Sequence, residues 1–293
     1  MKKHFSGTAA TAAVTALGLA LALTGCSQDQ PSDDSPAALS HIHGLGALGD
    51  TLYVATHEGV HSPGPAGRPT PVGDRRDDFM GFTITPAGTF LASGHPAPGT
   101  DGPADLGLIE STDSGLTWRE KSLGGEVDFH SLDTAADSTV YGHDSANGRL
   151  RISRDGVTWQ DGAALRALDI AVSPTSPDTV LATTETGVAR STDGGKTFAP
   201  GTGQVLAYVD WGAPDALFGV DPNGVLFRGT GTGTRAGTSW TRVAAVPGGA
   251  PQALTVVDAR RLLVATQDGV YESRDAGRTF EGRMAVTTGG DDH

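Results

Sequence analysis

Cysteine occurs once in this 293-residue chain, so no internal disulfide can hold its fold. Basic side chains are few: 21 Lys and Arg stand against 34 Asp and Glu, a formal net charge of -13. Nucleic acid is therefore not an expected partner, because phosphate binding needs a basic footprint. Past about residue 25 no long stretch carries the 3.6-residue apolar period of a helix. Aromatic residues are only 6% of the chain, which leaves little for stacking on sugars, with Tyr208 and Trp211 the best placed. Glycine is what the chain has in excess: 42 residues, about 14%, twice the usual ~7%. Short apolar runs such as Leu52-Tyr53-Val54-Ala55 recur between the glycines, and turns alternating with short strands predict an all-β domain.

The N-terminus reads as an address. Lys2, Lys3 and His4 precede an apolar run over residues 9–23, too short and too rich in small residues for a spanning helix. It ends in Leu23-Thr24-Gly25-Cys26, which resembles the bacterial lipobox. That resemblance implies a leader over residues 1–25, removed before Cys26, and a lipidated Cys26 that anchors the protein outside the cytoplasm, in the cell envelope. Residues 26–39 are polar, acidic and contain proline, a tether composition. The domain is then expected over residues 40–287, with a tail at 288–293, as a monomer. Removing the leader leaves 19 basic against 34 acidic side chains, so anionic lipid should repel the domain and the acyl group alone should hold it.

An octapeptide recurs through the domain. Ser111-Thr-Asp113-Ser-Gly115-Leu-Thr117-Trp118 is repeated at Ser191 to Phe198 and at Ser273 to Phe280, and one residue shorter at Ser153 to Trp159. A worn copy ends at Thr238-Ser239-Trp240. The Asp carboxylate can accept from backbone N–H groups of its own turn, and Gly supplies a φ > 0 position. The pattern resembles the Asp-box, or BNR repeat, of sialidases, sortilin-type receptors and other β-propellers. The resemblance gives Asp113, Asp155, Asp193 and Asp275 a structural role. A second apolar piece precedes each hairpin, starting at residues 52, 90, 140, 180, 217 and 262, which are 38, 50, 40, 37 and 45 apart. Four-stranded blades repeat every ~40–45 residues, so a six-bladed β-propeller is predicted. The first unit has Ser62-Pro63-Gly64-Pro65 in place of the octapeptide.

Each unit opens with an inner strand. Aligned on Ile42, Phe79, Phe129, Leu168, Val209 and Ala253, the flanking positions form two rows. One is His41, Asp78, Asp128, Ala167, Tyr208 and Gln252; the other is His43, Met80, His130, Asp169, Asp210 and Leu254. Strand side chains alternate, so both rows should face the channel. Histidine is absent from residues 144–292, whereas seven of the nine lie between 41 and 143. His57, His95 and His143 fall near the ends of second strands, which return to the rim where inner strands begin. His41, His43, His57, Met80, His95, His130 and His143 are thus expected around one mouth, with Asp78 and Asp128 beside them and His61 outside. Imidazole with thioether suits copper first and zinc second; the same side chains also fit a hydrated channel wall.

Three functions follow as expectations. The first is ligand binding at this mouth, with a transition metal as ligand. The second is glycoside hydrolysis, drawing on Asp78, Asp128, Asp169 and Asp210. Sialidases of the resembled family use an arginine triad and a Tyr/Glu pair, but the rows hold no arginine, Arg166 being nearest, and no F/Y-R-I-P segment precedes the first blade. The third is a scaffold for another envelope protein.

Overall fold

The computed structural model describes residue 39, residues 41–230 and residues 238–286. Cys26, the leader, the rest of the tether, the tail and the stretch before the worn octapeptide lie outside the described residues. Within them the chain is all β, apart from a 3-10 turn at Pro65–Gly67.

Twenty-four strands form six antiparallel sheets, each built from four consecutive strands. Blade 1 is β1 (Ile42–Leu48), β2 (Thr51–Thr56), β3 (Gly59–Pro63) and β4 (Pro69–Pro71). Blade 2 is β5 (Asp78–Ile84), β6 (Phe90–His95), β7 (Leu108–Ser111) and β8 (Arg119–Ser122). Blade 3 is β9 (Phe129–Thr134), β10 (Val140–Asp144), β11 (Arg149–Ser153) and β12 (Trp159–Ala164). Blade 4 is β13 (Ile170–Ser173), β14 (Ser176–Thr184), β15 (Gly187–Ser191) and β16 (Ala199–Thr202). Blade 5 is β17 (Tyr208–Ala213), β18 (Ala216–Val220), β19 (Val225–Thr230) and β20 (Ser239–Ala245). Blade 6 is β21 (Pro251–Val256), β22 (Leu262–Thr266), β23 (Gly269–Ser273) and β24 (Glu281–Ala285). The six-bladed propeller is the observed architecture.

The core lies between blades rather than within them. Each hydrophobic cluster spans one blade–blade contact, as where Tyr53 and Ala55 of blade 1 meet Phe79, Phe82 and Phe90 of blade 2. Among the described residues no strand is exchanged to close the ring. Closure rests on a cluster of Ile42, Leu45 and Val54 with Leu263, Ala265 and Met284, capped by Leu39 and Val286. Burying such side chains stabilises by about 1.5–3 kcal/mol each, so a handful can replace a shared sheet. Hydrogen bonds cross the same seam: the Ile42 N–H donates to Gln252 Oε1 at 3.3 Å, Thr255 Oγ1 donates to the Leu45 carbonyl at 2.8 Å, and Arg261 Nη1 donates to the Gly49 carbonyl at 2.5 Å.

The four octapeptide turns share one set of bonds. In the first, Ser111 Oγ donates to Asp113 Oδ1 (2.8 Å), and the Thr117 N–H and Oγ1 donate to the two carboxylate oxygens (2.9 and 2.6 Å). The other three repeat the Ser–Asp bond at 2.8–3.0 Å. These turns join third to fourth strands and lie on the rim opposite the one where inner strands begin. The alignment needs correction in the fourth and fifth blades: Leu168 is 56% exposed, whereas Ile170, two residues on, is 4% exposed and packs between blades 3 and 4. Ile170 and Val209 pair with Ala182 and Gly219, two residues past the aligned starts of their second strands, which is the level of Leu45 and Phe82 rather than of Ile42 and Phe79.

Candidate functional site

Inner strands begin, and second strands end, on one rim. In three blades the first turn of the inner strand is bulged at the same place, between Ile42 and Gly44, Phe79 and Gly81, and Pro251 and Ala253. Blade 3 carries the same bulge, between Phe129 and Ser131, which pair with the consecutive Asp144 and His143. The extra residues are His43, Met80, His130 and Gln252. A bulge leaves its residue out of the ladder and re-aims its side chain. The site thus owes its geometry to a repeated defect of the inner strands. At Gly94, φ is +144° and an added Cβ would stand 1.9 Å from the Asp78 carbonyl oxygen, so only glycine fits beside the Met80 bulge.

The histidines form two groups. In the first, His43 stands between His41 (Nδ1 to Nδ1, 3.4 Å) and His57 (Nε2 to Nε2, 3.3 Å). One ligand nitrogen from each of the three can be chosen so that all lie within 4.8 Å of one another. Asp78 Oδ1 lies 2.8 Å from His57 Nδ1, a charge contact on the side of the ring away from His43 Nε2. The His43 side chain is 11% exposed, and its pKa is pushed down to about 3 by burial and by the neighbouring His41, His57 and His130. His43 is therefore a neutral imidazole, the form that ligates metal.

In the second group His130 Nε2 lies 2.6 Å from Asp128 Oδ2, and His95 Nε2 reaches the same oxygen at 3.3 Å. The hydrogen bond to Asp128 raises the pKa of His130. Asp105, which the sequence pattern did not single out, stands 3.3 Å from His95 Nδ1. Met80 is half-buried at its bulge. His143 does not join either group: Asp144, not His143, is the residue that pairs at the level of Gly94 and Thr56. Its Nε2 lies 3.0 Å from the Leu165 carbonyl and its Nδ1 3.3 Å from Ser145 Oγ. His61 is buried on β3.

The four aspartates considered for hydrolysis divide likewise. Asp78 and Asp128 stand at the mouth against histidines, whereas Asp169 and Asp210 join blades. Asp169 Oδ2 accepts from the Val209 N–H (2.9 Å) and Oδ1 from Ser131 Oγ (2.7 Å). Asp210 Oδ2 accepts from the Val256 N–H at 2.5 Å. Asp133, absent from both aligned rows, accepts from the Val172 N–H at 2.6 Å. Burial pushes Asp169 up to about 6 and Asp210 up to about 7, and raises Asp133 well above the carboxylate range with help from Asp210. All three line a central channel of about 480 Å³ that also receives His43 and His130. Aligning second strands would have exposed the kinship of Asp133 and Asp210, since they pair with the equivalent Tyr141 and Phe218. Trp211 is 6% exposed within the contact of blades 4 and 5, so it is not a stacking platform. Beside His143, blades 3–6 carry a groove of about 1090 Å³ lined by Leu165, Arg166, Leu168, Val205 and Tyr208.

The molecule is thus a six-bladed propeller with a histidine- and aspartate-bearing mouth. No protein-family model matches the chain, and no curated protein does. Solved structures match in fold. Virginiamycin B lyase from Staphylococcus aureus is 15% identical, with 85% of this chain and 86% of that one covered at a TM-score of 0.55. The Niastella koreensis GH74 enzyme is 15% identical at a TM-score of 0.60, over 86% of this chain and 46% of that one. The gluconolactonase XC5397 from Xanthomonas campestris is 14% identical at a TM-score of 0.60, over 78% and 84%. At such identities the likeness establishes the propeller fold and nothing of activity.

Proposed function

We propose that this chain is a lipid-anchored, extracytoplasmic Asp-box propeller that binds a transition metal through His41, His43 and His57. The anchor rests on the lipobox-like segment ending at Cys26, and the Asp-box kinship on the four turns with their shared Ser–Asp–Thr bonding. The observation that carries the metal reading is the imidazole triad itself. Bonds of about 2.0–2.1 Å at tetrahedral angles place ligand nitrogens about 3.3 Å apart. His43 Nε2 and His57 Nε2 are 3.3 Å apart. Asp78 behind His57 supplies the outer carboxylate that metal-ligating histidines ordinarily have. An all-imidazole set suits copper and zinc.

Glycoside hydrolysis has less support, because Asp169 and Asp210 are engaged in joining blades and Trp211 is buried. A scaffold role draws on the groove of blades 3–6 beside His143.

Elemental analysis of the soluble domain from Ser27 onward tests the metal reading. Bound copper or zinc is expected, and added metal at 100 times its Kd should stabilise by about 2.7 kcal/mol. His57→Ala should abolish this response, and Asp78→Asn should weaken affinity by about 10–100-fold. Washed protein that holds no metal, with a thermal midpoint unmoved by added copper or zinc, overturns it.

A further inference from the structure

The second histidine group has its own carboxylate, its own supporting shell and a buried carboxylate oxygen without a donor. Asp128 precedes β9, and its side chain is 9% exposed. Its Oδ1 is sealed from solvent, and among the described residues no donor reaches it. A buried carboxylate oxygen left without a partner costs about 1–3 kcal/mol or more, so a cation there would relieve a standing penalty.

The arrangement of His95 points the same way. Its Nδ1 faces only acceptors, the Ala104 carbonyl at 3.2 Å and Asp105 Oδ1 at 3.3 Å. That nitrogen must therefore carry the ring proton. Its Nε2 stands 3.3 Å from Asp128 Oδ2. His130 brings a second imidazole to the same oxygen from the bulge of β9, and the Phe129 N–H, donating to Ser93 Oγ at 2.9 Å, locks β9 against β6.

We infer that Asp128, His95 and His130 form a second cation site, separate from the imidazole triad, with Asp105 orienting His95 from behind. Two imidazoles and a carboxylate define a harder donor set than three imidazoles, one that takes a borderline dication of the zinc class. Occupancy asks the exposed His95 and His130 rings to swing from contact with Oδ2 to ligand spacing, while Asp128 stays fixed. The inference does not depend on metal binding by His41, His43 and His57.

Counting zinc distinguishes the two. The soluble domain, titrated with Zn2+ by calorimetry and checked by elemental analysis after desalting, should take two ions per chain. Asp128→Asn and His95→Ala should each reduce this to one. His57→Ala should also leave one, and Asp128→Asn combined with His57→Ala should leave none. Should Asp128→Asn fail to fold, as its circular dichroism would reveal, His130→Gln removes a ligand from an exposed ring and makes the same prediction. A wild-type chain that takes a single zinc, lost in His57→Ala and retained in Asp128→Asn, overturns the second site and leaves the first. Loss in Asp128→Asn with retention in His57→Ala does the reverse, and a chain that takes no zinc overturns both.

Discussion

Aspartate does opposite work on the two sides of this ring. On the rim of the octapeptide turns, Asp113, Asp193 and Asp275 are held down to about 2, first by the Thr side chain in Asp113 and Asp193 and by the Thr279 N–H in Asp275. Asp155 is lowered too, first by the Thr158 N–H. In the channel, Asp133, Asp169 and Asp210 are pushed up by burial although each accepts a backbone N–H from the next blade. Both groups make good hydrogen bonds, so bonding alone does not decide the sign. Water does: exposed carboxylates keep their hydration and gain donors, whereas channel carboxylates lose hydration faster than donors replace it. The turn aspartates are permanent anions that order local chain, and the channel aspartates are blade connectors that fold best when protonated.

Removing a connector should cost most. Asp169→Ala strands the Val209 N–H and frees Ser131 Oγ, and a buried donor left unpaired costs about 1–3 kcal/mol. An unfolding free energy from chemical denaturation that falls by this amount, with Asp169→Asn much closer to wild type, is the expected result. An alanine variant as stable as wild type would mean the channel carboxylates connect nothing.

The pH dependence should come next in size. Asp169 and Asp210 are raised above the ordinary 3.8, so their contribution is complete below about pH 4 and is lost as pH climbs through about 6 and 7. Asn imitates the protonated acid. The thermal midpoint of wild type relative to Asp210→Asn should therefore decline between pH 5 and pH 8 by a few degrees. Asp113, Asp193 and Asp275 run the other way: their contribution is complete above about pH 4 and is lost as pH falls toward 2. A difference curve that is flat from pH 5 to pH 8 would break the contrast between the two rims.

The same contrast explains what the sequence made legible. The octapeptide turns are local, with every bond of Asp113 made within four residues, so a motif in the chain is a motif in space. Blade count followed from their spacing. The inner strands are not local in this sense. Their frame is set by bulges at His43 and Met80 and by packing between blades, which is why Leu168 rather than Ile170 was aligned as the buried position. His143 and Asp133 were misplaced or missed for the same reason: a shift of one or two residues in a strand changes face or level without changing composition. His57 and His95 were legible because each ends a regular second strand against Asp78.

The smallest effect expected is that of a turn aspartate, and it also has the most to teach about the ring. Asp193 accepts from Ser191 Oγ, the Thr197 N–H and Thr197 Oγ1. Water can replace the carboxylate at all three in Asp193→Ala, so the direct loss should be less than that of Asp169→Ala. The turn nevertheless reaches the neighbouring blade: Gly195 offers its carbonyl to the Ala163 N–H of β12 at 2.9 Å, while Gly194 N–H ties the turn to its own blade at the Asp178 carbonyl. In the preceding turn the Gly156 carbonyl accepts from Ser122 Oγ at 2.7 Å, again across a blade boundary. Asp193 thus holds in shape a loop whose backbone joins blade 4 to blade 3 on the far rim, as Asp169 joins blade 4 to blade 5 from the channel. Asp193→Ala should lower the thermal midpoint modestly at pH 7, speed amide exchange at Ala163 first, and lose its difference from wild type near pH 2. Unchanged exchange at Ala163 would confine these aspartates to their own turns and leave the channel carboxylates as the polar ties between blades 3, 4 and 5.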